Sequence, residues 1–131
     1  MNMKCALPAI GLLLLLSAAP ALAEDEEKLI AAKSGETVDV MPVYGAPRCR
    51  SVLTATPEVE VLQGPPEIKL SVREAMVTPP KCREKVKGGI VVATVGQVKQ
   101  PTDGKLIFRV KYHTKDGPIQ TGQIRKFTLL P

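Results

Sequence analysis

KLIFRVKYHTKDG, residues 105–117, alternates with a period of two. Leu106, Phe108, Val110 and Tyr112 fall on one face and Ile107, Arg109, Lys111 and His113 on the other, which predicts a strand with one face buried. Thr114-Lys115-Asp116-Gly117 then predicts a hairpin turn, because Asp-Gly accommodates the positive φ angles of tight turns. Ile119–Leu130 is the expected return strand, with a bulge expected at Gly122.

Upstream the texture is the same. Ile68, Leu70 and Val72 alternate with Lys69, Ser71 and Arg73, and the phase shifts toward Ala75 and Val77, which predicts a bulge or the end of pairing near Glu74. Ile90–Val95 is nearly continuous in apolar residues, the pattern of a central strand covered on both faces. Thr37–Tyr44 and Glu58–Leu62 are further strands, and Pro42 confines the former to an edge or a strand end. Gly and Pro clusters separate these runs, with the longest loops expected at Thr78–Gly89 and Gly96–Lys105. About seven short strands in so short a chain predict an all-β, antiparallel two-sheet sandwich; a small β-barrel is the alternative.

The stretch 105–117 resembles the penultimate strand and final hairpin of bacterial immunoglobulin-like and fibronectin-type domains. That resemblance implies a shape and no activity. The sequence departs from the antibody pattern, since it has no Trp to pack on a disulfide.

The N-terminal residues MNMKCALPAIGLLLLLSAAPALA have a short segment with Lys4, an apolar run over 9–16 and small residues at Ala21 and Ala23. This is the layout of a cleavable secretory signal peptide over residues 1–23. The apolar run is short for about 30 Å of hydrocarbon, and Pro20 interrupts the chain soon after it, so the mature chain is not expected to be transmembrane. Residues 24–36 are expected to form an acidic flexible or short helical leader. Residues 37–131 are expected to be a single β domain, in the periplasm or outside the cell. Cys5 leaves with the signal peptide, and the two remaining cysteines, Cys49 and Cys82, are expected to form a disulfide in an oxidising compartment. The mature chain has no Asn, which excludes N-linked glycosylation.

After Asp39 the chain holds fifteen Lys or Arg against seven Asp or Glu, so the body is basic while the leader is acidic. Arg109, Lys111, His113 and Lys115 alternate along one strand face. With Arg125 and Lys126 on the return strand they predict a continuous positive stripe. The basic loop around Cys82, with Lys81, Arg83, Lys85 and Lys87, is the second expected contact surface.

Catalytic patterns are missing. His113 is the single histidine, without acid or thiol ligands at metal-site spacing, and there is no H-E-x-x-H, phosphate loop or nucleophile elbow. Glu58, Glu60, Glu67 and Glu74 could supply a carboxylate pair, but Tyr44, Phe108, Tyr112 and Phe127 read as core more than as sugar platforms. Scarce aromatics also argue against single-stranded nucleic acid as a partner. The chain therefore reads as a non-enzymatic binding module, without cofactor or metal, for an acidic protein or an anionic envelope surface or glycan. Strand pairing at an exposed edge during envelope assembly, and a small secreted enzyme or inhibitor, are the alternatives.

Overall fold

The computed structural model describes residues 29–131, and the expected signal peptide, with the first residues of the leader, lies outside them. Seven strands form: β1 (Ile30–Lys33), β2 (Thr37–Val43), β3 (Glu58–Gln63), β4 (Ile68–Val77), β5 (Val86–Val95), β6 (Thr102–Thr114) and β7 (Gly117–Leu130). One sheet runs β1-β7-β6-β3 and the other β2-β5-β4. The fold is the expected all-β sandwich; the sheets stay separate, so the barrel alternative is excluded. With strands lettered in chain order, the C, F and G strands share one sheet and B, E and D the other, as in immunoglobulin-type sandwiches, but strand A joins C, F and G and not B, E and D.

Two expectations are corrected at the N-terminus. Residues 30–33 are not a flexible or helical leader but strand β1, so the β domain starts before residue 37. That strand runs parallel to β7, with Ile30 opposite Phe127 and Lys33 opposite Leu130, which makes the four-stranded sheet mixed rather than purely antiparallel. The physical reason lies in the pattern I-A-A-K. Ile30 and Ala32 are buried in the core and their neighbours exposed, so burial at a period of two outweighs the helix propensity of the alanines.

The core lies between the sheets. Leu106, Phe108 and Val110 from β6 and Phe127 and Leu129 from β7 meet Ile68, Val91, Ala93 and Val95. Central β5 is covered on most of both faces, since Val91, Val92 and Ala93 are all buried, although Thr94 is exposed. Edge strand β2 carries Pro42 as expected. Three local features differ from expectation. β4 pairs with β5 without a register break at Glu74, and β7 pairs with β6 without one at Gly122. The breaks lie instead in edge strands, between Asp39 and Met41 in β2 and between Val61 and Gln63 in β3. Edges accept bulges because an extra residue there disrupts only one ladder. The expected loops are shorter as well, since β5 begins at Val86 and β6 at Thr102.

At the β6–β7 turn Asp116 keeps a negative φ and Gly117 supplies the positive one, at 113°. Thr114 Oγ1 accepts from the Asp116 amide and donates to the Gly117 carbonyl, closing the hairpin.

Candidate functional site

Strand directions gather three connections at one pole of the sandwich: the β2–β3 loop, the β4–β5 loop and the β6–β7 hairpin. These segments, 44–57, 78–85 and 115–116, carry Arg48, Arg50, Lys81, Arg83, Lys85 and Lys115 against Glu84 and Asp116. The opposite pole, at 34–36, 64–67 and 96–101, has Lys99 against Glu36 and Glu67. The charge of the domain is thus polarised along the strands.

A disulfide organises the basic pole. Cys49 and Cys82 are bonded with Cα atoms 5.5 Å apart, as expected from the even cysteine count. It joins loop to loop rather than sheet to sheet. Arg48 and Arg50 flank one cysteine, and Lys81 and Arg83 flank the other, so the bond draws four cations together. All four are exposed, and among the described residues none forms an ion pair. Lys85 is exposed in the same loop. Lys87, expected in that loop, is instead on β5 opposite Met76. Cys49 and Lys81 hold left-handed backbone conformations, at φ 60° and 68°, which are uncommon for residues with a Cβ. Arg48 and Arg50 are not among the residues expected at this site, although they adjoin Cys49 and the expected Cys49–Cys82 bond already implies their place beside the basic loop.

The expected stripe on the hairpin is broken up. Arg109, Lys111 and His113 do share the outer face of β6, but β3 places carboxylates beside them. Glu60 Oε1 accepts from Arg109 Nε at 3.0 Å and Nη2 at 2.7 Å, and Glu58 Oε2 lies 2.6 Å from His113 Nε2. Glu58 is also the cross-strand partner of Lys111. Lys115 sits in the turn and Lys126 is exposed on β7 opposite Lys105. Arg125, expected on the stripe, is opposite Leu106 and therefore on the inward face. Charges of both signs, not a single-sign patch, cover this sheet face, because Arg109 and Lys111 of β6 face Glu60 and Glu58 of the next strand. Glu58 and His113 stand there on an open sheet face. Among the described residues no group of three or more His, Cys, Asp or Glu side chains could hold a metal ion.

An apolar cleft of about 450 Å³ opens beside the basic pole. Tyr44, Pro47 and Val52 of the β2–β3 loop form one wall, and Tyr112, Ile119 and Thr121 of the hairpin form the other. The loop is held in place by backbone bonds from the Thr54 amide to the His113 carbonyl and from the Lys115 amide to the Val52 carbonyl. Both tyrosines are half-buried here, which for Tyr44 departs from the expected core placement, whereas Phe108 and Phe127 are core residues. Burial raises the Tyr112 hydroxyl above the ordinary tyrosine range; the Thr121 side chain opposes this and Tyr44 adds to it. Thr121 Oγ1 nevertheless lacks a partner in good hydrogen-bond geometry, so its interaction with Tyr112 is a proximity effect rather than a formed bond. Comparison of the chain with protein-family models, curated proteins and solved structures gives no match.

Proposed function

We propose that this protein is an exported, non-catalytic binding module that engages an anionic partner through the disulfide-bridged basic pole. The observation that carries the reading is the placement of Arg48, Arg50, Lys81 and Arg83 on either side of one disulfide, all exposed and without ion-pair partners among the described residues. A disulfide suits the oxidising periplasm or extracellular space that the N-terminal sequence predicts. The partner is an acidic protein or an anionic envelope surface or glycan, attracted electrostatically and released by salt.

The bridge lowers the entropy lost when the cations are ordered on a ligand, since the two loops are already held together. The test measures binding of the oxidised protein to anionic and to zwitterionic vesicles across a salt series. At roughly 1 kcal/mol for each cation near an anionic surface, replacing Arg48, Arg50, Lys81 and Arg83 by Gln lowers affinity by about two to three powers of ten. Replacing Arg109 and Lys111 by Gln lowers it far less, since these cations lie on a sheet face beside Glu60 and Glu58 and not at the pole. Equal affinity for both vesicle types rejects an anionic lipid surface as the partner, and an affinity insensitive to the four substitutions rejects the pole as the contact surface.

A further inference from the structure

Strand β7 has fourteen residues, yet β1 covers only Phe127–Leu130 of its outer edge. Along Gly117–Lys126 no described strand lies on that side. The Ser34 amide donates to the Leu130 carbonyl at 3.0 Å, so Leu130 turns its backbone groups toward the β1 edge. With no register break in β7, alternation gives Gln120, Gly122, Ile124 and Lys126 the same direction. Pro118 has that direction too and has no N–H to offer.

The inward side chains of the same stretch are Ile119, Thr121, Gln123 and Arg125, which pair with Tyr112, Val110, Phe108 and Leu106. Ile119 and Thr121 line the tyrosine cleft. Arg125 reaches toward β2 of the other sheet, with Nη2 3.4 Å from Met41 Sδ. Its nitrogens otherwise bond Gln123 Oε1 at 3.3 Å and the Ile124 carbonyl at 2.9 Å. Burial lowers its pKa, and no described carboxylate pairs with it, although Arg73 and Arg109 each have one. A partly desolvated guanidinium with only neutral acceptors is a receptor for a carboxylate.

We propose that the open edge of β7 accepts an extended segment of another protein, which carries an apolar side chain and a carboxylate four residues apart. A strand added to this edge places its own inward side chains beside those of β7, about 5 Å away. One of them, opposite Ile119–Thr121, enters the cleft between Tyr44 and Tyr112. Another, about 13 Å further along, meets Arg125. An even spacing keeps both on one face; a spacing of three puts one of them in solvent. Lys126 on this edge strand, with Lys105 across from it on β6, favours an acidic segment overall.

The test uses nine-residue, threonine-rich peptides carrying Phe and Glu four positions apart in either order, with matched peptides in which Glu is Gln or the spacing is three. Amide exchange is followed at Gln120, Gly122 and Ile124 of the oxidised protein, together with affinity. The expected result is protection of these amides and a preference for Glu over Gln of about tenfold, which disappears in Arg125→Gln. Protection without that preference, or a preference that survives in Arg125→Gln, overturns the carboxylate site while leaving strand addition intact. Exchange unchanged by every peptide overturns strand addition itself. Amides already protected in the free protein show an edge filled by the chain or by a second copy, and overturn the proposal as well.

Discussion

Cutting the bridge with C49A/C82A should cost less than loop entropy alone predicts. The bond spans 33 residues, for which the chain-entropy relation gives about 3.7 kcal/mol at room temperature. Against this stands the backbone at Cys49 and Lys81, both in the left-handed region at φ 60° and 68°. Each such conformation costs roughly 1 kcal/mol for a residue with a Cβ, and both can relax once the loops separate. The net loss expected is therefore about 2 kcal/mol. That is a large share of the 5–15 kcal/mol typical of a domain.

Urea unfolding of the wild type, the reduced wild type and C49A/C82A measures this loss. Reduced and doubly substituted proteins should agree closely, because Cys49 is exposed and Cys82 only half-buried, so little packing is removed. The dependence on urea should steepen, since the unfolded chain without its cross-link exposes more surface. K81G in the oxidised protein separates the two contributions: it relieves the φ at residue 81 but also loosens the unfolded chain by a similar amount, so the midpoint should barely move. A loss below about 1 kcal/mol, or one without a steeper urea dependence, would falsify the entropic account.

Gly88→Ala places a Cβ 2.4 Å from the Val43 carbonyl oxygen and should cost about 1–3 kcal/mol. Gly122→Ala meets nothing within 4 Å and should be neutral or stabilising by up to about 1 kcal/mol; the opposite order in chemical unfolding would contradict the β5 packing described. Because burial raises the Tyr112 hydroxyl, the folded protein holds that proton more tightly than the unfolded chain does. Its contribution to stability is complete below the ordinary tyrosine range and lost as pH rises through the folded value. Tyr112→Phe should therefore lose less stability than wild type on the alkaline side, and equal losses would show that burial does not act on this group. Arg109→Glu replaces an exposed ion pair by facing carboxylates and should cost no more than about 1 kcal/mol, read as a small shift in the urea midpoint; a loss of several kcal/mol would mean that the outer face is structural.

Strong periodicity was legible and pairing was not. β6 could be read from residues 105–117 because one face is apolar and the other charged, and burial enforces that pattern. β1 could not, since I-A-A-K is too short to carry a period and gains its structure from the parallel contact with β7. Alternation also placed Arg109, Lys111 and His113 on one face, but it says nothing of what a neighbouring strand presents. Glu58 and Glu60 stand about fifty residues away in sequence and neutralise that face through the β3–β6 register. Arg125 faces inward, and for a related reason the sequence does not show it. The inward side of β7 changes from Phe127 and Leu129 to Arg125, Gln123 and Thr121 at the start of β1, opposite Phe127, so its residue types there match an open flank and not a core.

The basic pole and the apolar cleft draw on the same loop. Arg48 and Arg50 bracket Cys49, while Tyr44, Pro47 and Val52 of the same segment form the cleft wall. The Val52 carbonyl and the Thr54 amide pin its far side to the β6–β7 hairpin, and the disulfide ties its middle to the β4–β5 loop. Neither tether substitutes for the other: the backbone bonds fix the loop against the four-stranded sheet and the disulfide fixes it to the three-stranded one. Cutting the bridge frees Arg48–Arg50 from the lysine-rich loop and at the same time removes one of the two supports of the cleft wall. Both surfaces therefore depend on the oxidised state, even though only one of them contains a cysteine.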